Sequence, residues 1–290
     1  MSAAPVALAP AVADPEVVVV LATVAAPPAA SPSPAGEAGL IDLSRVEVLS
    51  PPGPEAPPDR FSVRFERAAD PLARDRDGSN PWNRVSLDPG AALVVALRAG
   101  EVVAVRSVEG VDDPALAAIR AACALARPPV EDVDPRRVRA LAGDDALARE
   151  ALLVRLGRGR VDLAVEHLAA AASAATDPLV RGRLRDALAA QFDPERWASR
   201  DNAAVLTALA RALLGAPRVE RPAWAGELAR WLRYPYDPAP ERQERVARAL
   251  VLLVDSPPVA MVAALEGLGG AGTPEDQAAA RDVLALWLQL

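Results

Sequence analysis

In the first part of the chain, hydrophobic positions follow patterns typical of β-strands. Residues 17–21 form a continuous apolar run of four β-branched valines and a leucine, as in a strand that is buried on both faces. Apolar and polar residues alternate along 61–66, so that segment is expected to bury one face only. Residues 91–108 predict a hairpin whose turn includes Gly100. With a further strand over 41–48, the pattern predicts five strands.

Prolines separate these strands. Segments 26–38 and 51–58 are both rich in proline, which lacks the amide donor that a central strand needs, so both are predicted to be loops. Pro89-Gly90 predicts a tight turn before the hairpin. Residues 1–13 are rich in alanine and proline, and we expect them to be disordered or removed by processing.

Beyond Asp113-Pro114 the hydrophobic period becomes helical. An aspartate followed by proline marks several helix starts, because the carboxylate can cap a free amide and proline loses no hydrogen bond at the first helical position. This signature occurs at Asp113, Asp134, Asp177 and Asp193. The pattern predicts ten helices, at about 115–127, 135–141, 145–157, 160–175, 178–190, 201–214, 222–233, 239–254, 257–268 and 274–289.

The spacing of the helix starts is close to that of a repeat protein. Asp134 and Asp177 are 43 residues apart, and Asp193 and Asp237 are 44 residues apart. Both values fall in the period of about 40–47 residues that is typical of HEAT and armadillo repeats. An irregular helical bundle is the alternative interpretation.

The order of the strand segments EVVVVLATV, RFSVRFER and VSLDPGAALVVALRAGEVVAVRSVEGVDDP resembles the small OB-like, netrin-type β-barrel of bacterial extracytoplasmic proteins. The cysteines of the eukaryotic netrin and metalloproteinase-inhibitor relatives are missing, so no functional residue carries over. The helical part resembles HEAT-type repeats. We therefore predict a multidomain β plus all-α chain, with a five-stranded OB-like β-barrel over about 14–114 and a HEAT-like α-solenoid over about 115–290. Both resemblances imply binding rather than catalysis.

Composition excludes several kinds of chemistry. All 32 basic residues are arginines, because the sequence contains no lysine. This excludes Schiff-base chemistry and the Walker A phosphate-binding lysine. One histidine and one cysteine cannot build a His/Cys zinc site or a Cys-x-x-Cys pair. Residues 1–114 carry 16 acidic and 9 basic side chains, so the whole formal net charge of −7 belongs to them.

Three candidate centres of chemistry each have a structural alternative. His167 has the side chain of a general base, but the sequence shows no nucleophile for it to activate, so a histidine without a catalytic role is favoured. Cys123 lies in an apolar helical stretch, which favours a small buried core residue over a nucleophile. A third group offers oxygen ligands for Ca²⁺, but its spacing does not fit an EF-hand, so a solvated loop is favoured. Its members are Asp70, Asp75, Asp77, Ser79 and Asn80.

Arginines gather in three helical clusters. If stacked repeats aligned the clusters, they could contact phosphates. The region is neutral overall and acidic residues interleave with the arginines, which favours a solvated face with ion pairs. The clusters are Arg136, Arg137 and Arg139; Arg155, Arg158 and Arg160; and Arg181, Arg183 and Arg185.

Aromatic residues and arginines near residue 230 form the candidate recognition surface. Trp, Tyr and Arg dominate binding hot spots. Trp224 and Trp231 share a helical stripe, and we expect them to pack between helices. The residues that we predict to bind a protein partner are Arg230, Arg233, Tyr234 and Tyr236.

The sequence thus predicts a non-enzymatic protein-binding or scaffolding protein that uses a helical-repeat surface. It assigns no catalytic residue, metal ligand or cofactor, predicts no transmembrane segment, and leaves the protein partner unidentified. Nucleic acid is not the expected partner. Two alternatives stay open: nucleic-acid binding through the OB-like barrel or the arginine clusters, and a carboxylate-dependent hydrolase. Ala11-Val12-Ala13 resembles the end of a leader peptide, which favours export, with the cytoplasm as the alternative.

Overall fold

A computed structural model describes residues 8–33, 36–50, 56–68, 82, 85–192 and 200–233. Within these ranges, an antiparallel sheet is followed by helices, as the hydrophobic pattern predicts. The strands are β1 (Val17–Val24), β2 (Ala29–Ser33), β3 (Gly36–Val48), β4 (Arg60–Ala68), β5 (Ala92–Arg98) and β6 (Glu101–Val108). The helices are α1 (Ala9–Ala13), α2 (Pro114–Ala126), α3 (Pro135–Ala142), α4 (Ala146–Gly157), α5 (Val161–Ala174), α6 (Pro178–Ala189), α7 (Arg200–Gly215) and α8 (Arg221–Arg233).

The chain divides into two units by its internal contacts. The sheet unit consists of residues 1–129 and 144–155, and the helical unit consists of residues 130–143 and 156–290. Strands give way to helices at Pro114, and α2, which starts there, lies in the sheet unit. Helix α4 belongs to the sheet unit for most of its length.

The strands of the sheet unit form one curled antiparallel sheet, a half-barrel. β3 is the longest strand, and it pairs with β4 along one edge and with both β1 and β2 along the other. β5 pairs with β1, and β6 pairs with β5. The register shifts between Leu21 and Ala22 in β1 and between Ala96 and Leu97 in β5. Such irregularities bend strands and increase twist, which helps a sheet to curl.

Both faces of β1 are buried, as its β-branched run predicts. Val19 and Val20, which point to opposite faces, are each 0% exposed. One face contributes to a core cluster in which the rings of Phe65 and Trp82 meet edge to face, with centroids 6.1 Å apart. Burial of each valine or leucine side chain stabilises the fold by about 1.5–3 kcal/mol. The buried members of the cluster are Val18, Val20, Ala22, Val24, Ile41, Leu43, Val63, Phe65, Trp82, Val85, Leu87, Leu93, Val95, Leu97 and Val105.

Part of the proline-rich segment 26–38 forms a hairpin, so the prediction of a loop is wrong there. β2 pairs with the start of β3. In the described sheet β2 pairs on one side only, and proline is tolerated at such an edge, which explains why Pro32 does not prevent pairing. Gly39 permits the close approach of the two strands, because a Cβ atom there would lie 2.0 Å from the carbonyl oxygen of Ala29.

Both predicted turns before and within the second hairpin are confirmed. Gly90 has a φ of 86°, and the Ala91 amide donates to the Asp88 carbonyl at 2.9 Å, as in a type II turn. The β5–β6 hairpin turns over two residues, Ala99 with a φ of 50° and Gly100 with a φ of 84°. Positive φ at both positions is the mark of a type I′ turn, whose twist matches that of the strands.

Residues 9–13, within the segment expected to be disordered or processed, form α1, which packs on α2. Arg127 follows the last residue of α2 and is only 7% exposed. Its Nε donates to the Val12 carbonyl at 3.1 Å and its Nη2 to the Ala11 carbonyl at 3.3 Å. A cation beside the last carbonyls of a helix is stabilising, so Arg127 helps to hold α1 in place.

In the helical unit, α5 contacts α3, α6 and α7, and α7 packs with α8. The predicted caps at Asp134 and Asp177 are confirmed, since each side chain accepts a backbone amide at 2.8 Å. All seven helices predicted between residues 115 and 233 begin and end within one residue of expectation. Among the described helices, none is long and apolar enough to cross a membrane. The helices predicted at 239–254, 257–268 and 274–289, and the cap at Asp193, lie outside the described residues.

Candidate functional site

His167 lies in the middle of α5 and is 0% exposed. Its Nδ1 is 2.7 Å from the Leu163 carbonyl oxygen, and its Nε2 accepts the Asp134 backbone amide at 3.1 Å. The carbonyl can only accept and the amide can only donate, so the two contacts assign the ring proton to Nδ1. Asp134 caps α3, and His167 therefore ties α5 to the start of α3. Both ring nitrogens are thus engaged within the chain, and His167 contributes to the packing of α5 against the start of α3.

Cys123 is also 0% exposed, within α2. Burial raises the pKa of its thiol, and the neighbouring Arg127 opposes this only in part. The thiolate is the nucleophilic form, so a thiol that is protonated and shielded from water is inert. The prediction of a small core residue is confirmed.

The arginines of the three clusters are largely engaged within the chain. Arg137 is buried at 4% exposure. Ion pairs with interleaved acids are the arrangement that the sequence favours for these helices. The pairs are Arg136–Asp134, Arg160–Asp162, Arg181–Glu220 and Arg185–Asp186.

The candidate Ca²⁺ loop, Asp70 to Asn80, lies outside the described residues. In the part of the chain that is described, no group of three or more His, Cys, Asp or Glu side chains is placed to hold a metal ion. The carboxylate of Glu220 is bound to Arg181, and those of Asp134 and Asp177 accept helix amides.

Of the predicted protein-binding residues, Arg230 is described in full. It is exposed on α8, and its Nη1 lies 3.9 Å from an oxygen of Glu227. Arg233 ends α8, and its side chain lies outside the described part, as do Tyr234 and Tyr236. This patch stays a prediction.

A cleft of about 340 Å³ lies in the helical unit, where the ends of α5 and α7 meet the starts of α6 and α8. This volume is at the small end of the range of about 300–1,000 Å³ that ligand pockets occupy. The floor of the cleft is buried, whereas several residues of its rim are exposed. Floor residues are Ala172, Ala175, Ala216 and Trp224, and rim residues are Ser173, Gly215 and Pro217.

Small side chains at two helix ends create this cleft. Residues 169–174 at the end of α5 read AAAASA, and α7 ends at Gly215. The following Ala216-Pro217 stops α7, because proline cannot continue a helix. Alanine and glycine have too little side-chain volume to fill the gap between the helices, so a concavity is left.

Arg181 of α6 joins the wall of the cleft to Glu220, which lies just before α8. Nε and Nη2 of the guanidinium both bond to the carboxylate, with Nε at 2.8 Å from Oε2. Nη1 donates to the carbonyls of Ala175 at 2.6 Å and Thr176 at 2.9 Å. The two side chains are only 14% and 17% exposed. Their hydrogen bonding lowers the pKa of Glu220 and raises that of Arg181.

The chemistry of the cleft suits binding better than proton transfer. The charge of Arg181 is neutralised by Glu220, and four of its hydrogen bonds are made within the chain, so it is poorly placed to hold an anionic substrate. Ser173, on the rim, donates its hydroxyl to the Ala169 carbonyl at 3.1 Å. The floor, formed by alanines and Trp224, is apolar.

Sequence reasoning missed this cleft. It placed Arg181 in a basic cluster and Trp224 in the core between helices, and it connected neither to Glu220. The burial of Trp224, at 2% exposure, confirms its place between helices. The cleft itself depends on packing between residues 39 apart in the chain, for which the sequence has no local pattern. The available signals were the alanine run that ends α5 and the Gly215-Ala216-Pro217 stop.

Comparison with protein-family models, with curated proteins and with solved structures finds no match.

Proposed function

We propose that this chain is a non-enzymatic protein-binding or scaffolding protein, and that its helical unit provides the binding surface. In this proposal the half-barrel is part of an OB-like, netrin-type β-barrel, and the helices form a HEAT-like solenoid. The observation that carries the proposal is the cleft beside Arg181 and Trp224, a formed concavity with an apolar floor of alanines and Trp224, whose adjoining ion pair is already satisfied.

Helix packing in the helical unit supports a repeat architecture. α5 packs with α6, α7 packs with α8, and α5 also packs with α7. This is the neighbour pattern expected of two stacked helical hairpins. In a solenoid each repeat contacts its neighbours, and the stack presents an extended surface to a partner. The cleft lies where the two hairpins meet.

Two exposed apolar side chains stand close to the cleft lining along the chain. Leu179 is 80% exposed and lies two residues before Arg181. Val219 is 85% exposed and lies two residues after Pro217. Exposed large apolar side chains are a common feature of protein interaction sites.

The two alternative functions receive less support. Nucleic-acid binding needs a positive groove with stacking aromatic residues, whereas the clustered arginines have acidic partners and the chain has a formal net charge of −7. A carboxylate-dependent hydrolase needs two acids that face one another across a cleft. The lining of this cleft contains no carboxylate, and the adjoining Glu220 is bound to Arg181.

Site-specific photo-crosslinking tests the proposal. A photoreactive phenylalanine analogue is placed at Leu179 or at Val219, and at Leu40 of β3, which is 55% exposed, as a matched position in the sheet unit. We expect a discrete protein adduct from the two positions near the cleft and none from Leu40. The adducts should disappear when Ala212→Trp fills the cleft. Adducts with nucleic acid, equal adducts from Leu40, or adducts that survive Ala212→Trp would contradict the proposal.

A further inference from the structure

We propose that the cleft recognises an acidic segment of its protein partner, in which an apolar side chain enters the cleft and neighbouring aspartates or glutamates contact the arginines around it. This inference rests on the proposed protein-binding function and adds the chemical class of the partner. It follows from an apolar floor and an excess of positive charge that occur together at one place in the helical unit.

The floor of the cleft determines the anchor of the partner. Ala172, Ala175 and Ala216 are buried and apolar, and Trp224 completes the floor. The guanidinium of Arg181, the charged group in the lining, is bound to Glu220 and to carbonyl oxygens. A charged anchor would therefore lose its hydration without finding a partner in the floor, whereas a leucine or an aromatic side chain would be stabilised.

The helices that form the cleft carry an excess of positive charge. Residues 161–192 and 200–233, which span the four helices and the turns within each pair, contain nine arginines and seven acidic residues, a net charge of +2. One of these acids, Glu220, is fully occupied by the bidentate contact with Arg181. The same chain has a net charge of −7 overall, so this local excess is opposite in sign to the rest of the molecule. Opposite charge across an interface favours the matching partner and disfavours the wrong one.

Three of these arginines neighbour lining residues, two of them along the chain and one through a hydrogen bond. Arg211 precedes the lining residue Ala212, and Arg218 follows the lining residue Pro217; both are exposed. Arg221 donates its Nε to the carbonyl oxygen of the floor residue Ala216 at 3.0 Å, which fixes its guanidinium beside the floor. Guanidinium groups bind carboxylates in a bidentate geometry. We therefore expect these arginines to contact carboxylates that flank the anchor side chain of the partner.

A second copy of this chain is the competing occupant. Its residues 1–114 also carry a net charge of −7, so charge alone does not separate self-association from a distinct partner. Sedimentation equilibrium distinguishes self-association from binding to a distinct partner. We expect the same mass, that of one chain, for the native protein and for Ala212→Trp. A dimer that Ala212→Trp dissociates would overturn the proposal and assign the cleft to a second copy.

Fluorescence anisotropy with three labelled peptides tests the chemical class. Each peptide has two central leucines, flanked on both sides by glutamates, by lysines or by serines. With the full chain at low salt, we expect the glutamate peptide to bind about tenfold more tightly than the serine peptide, and the lysine peptide to bind most weakly. Equal affinities of the three would overturn the acidic class while leaving the crosslinking test of protein binding unaffected.

Two variants locate the binding. Ala212→Trp fills the cleft and should weaken the binding of the glutamate peptide about tenfold. Arg211→Glu reverses an exposed charge beside the cleft and should weaken it about fivefold, with a reduced dependence on salt. Arg64→Glu, at an exposed position of β4, is the matched control and should leave the Kd unchanged. If Ala212→Trp does not fold, Arg211→Glu decides: an unchanged Kd, or an equal loss in Arg64→Glu, would overturn the proposal.

Discussion

The sheet unit and the helical unit fill their interiors in different ways. In the sheet unit, valines and leucines from several strands interdigitate, and Phe65 and Trp82 add a ring contact. In the helical unit, the contacting ends of α5 and α7 are rich in alanine, and a cleft of about 340 Å³ is left between them. β-Branched side chains fill the space above a sheet, whereas alanine leaves room where helix ends converge. The alanine-rich ends of the described helices therefore leave a concave surface in the helical unit.

Two largely shielded arginines, one in each unit, show a related contrast in their contacts. Arg127 in the sheet unit donates to two carbonyl oxygens of α1, which are neutral. Arg181 in the helical unit donates to two carbonyl oxygens and also to the carboxylate of Glu220. A contact with a carboxylate depends on pH, and a contact with a carbonyl does not. Acid should therefore affect the contacts of the two arginines differently.

The largest effect is expected at a glycine of the sheet unit. Gly39→Ala places a Cβ atom 2.0 Å from the Ala29 carbonyl oxygen, so β2 must move away from β3. We expect a loss of about 3 kcal/mol in the free energy of unfolding, measured by urea denaturation. Gly182→Ala in α6 is the matched control, since nothing lies within 4 Å of the added atom. It should stabilise the chain by up to about 1 kcal/mol. Equal effects of the two changes would contradict this account of β2.

His167 provides the next effect, in the helical unit. His167→Leu removes the acceptor of the Asp134 amide in a site with 0% exposure, which should cost about 2 kcal/mol. His167→Gln keeps a side-chain oxygen that can accept this amide, and we expect it to recover part of the loss. Urea denaturation, monitored by circular dichroism, measures the free energy of unfolding of both variants and shows whether the leucine variant is the less stable. A leucine variant as stable as the native chain would show that the contact is dispensable.

The ion pair beside the cleft should give a smaller effect that depends on pH. Arg181 holds the pKa of Glu220 below its ordinary value of 4.5. Because the folded-state pKa is lower than the unfolded one, the stabilisation is complete above the unfolded pKa and is lost as pH falls through the folded pKa. Glu220→Gln should therefore cost about 1 kcal/mol at pH 7 and progressively less in acid.

Arg127→Met is the matched control for this pH dependence. Its carbonyl contacts do not titrate, so the stability that it removes should be the same at pH 7 and at pH 3. Urea denaturation at the two pH values measures both variants. A cost of Glu220→Gln that persists at pH 3 would argue against the ion pair as its source.

The last prediction concerns reactivity rather than stability: Cys123 should scarcely react in the folded chain. The residue is 0% exposed and burial raises the pKa of its thiol. We expect labelling by a thiol-reactive disulfide to be at least about a hundredfold slower in buffer than in urea. Ser173→Cys, on the exposed rim of the cleft, should react rapidly and serves as the control. Fast labelling of Cys123 in buffer would mean that the sheet unit opens more readily than its packing indicates.

Local chemistry explains what the sequence predicts well. Asp113, Asp134 and Asp177 mark helix starts because the cap and the proline act within three residues of each other. Gly100 marks a hairpin for the same reason, since positive φ is a property of the turn itself. Such signals need no knowledge of the rest of the chain.

Features that depend on distant partners are less visible in the sequence. The prolines of the β2 hairpin predict a loop, and the close approach that Gly39 allows depends on the fold. The cleft was missed because Arg181 meets Glu220 through tertiary packing. The alanine run at the end of α5 is compatible with a closed core as well as with a concavity.

Amide hydrogen exchange tests most directly whether the helical unit is the binding surface. The exchange of this chain is measured with the partner protein that crosslinking captures. The chain is exchanged with and without a saturating amount of that partner. Slower exchange should be confined to the ends of α5 and α7 and the starts of α6 and α8, and it should be absent in Ala212→Trp. Protection of the β-strands of the sheet unit without protection of those helix ends would contradict the account.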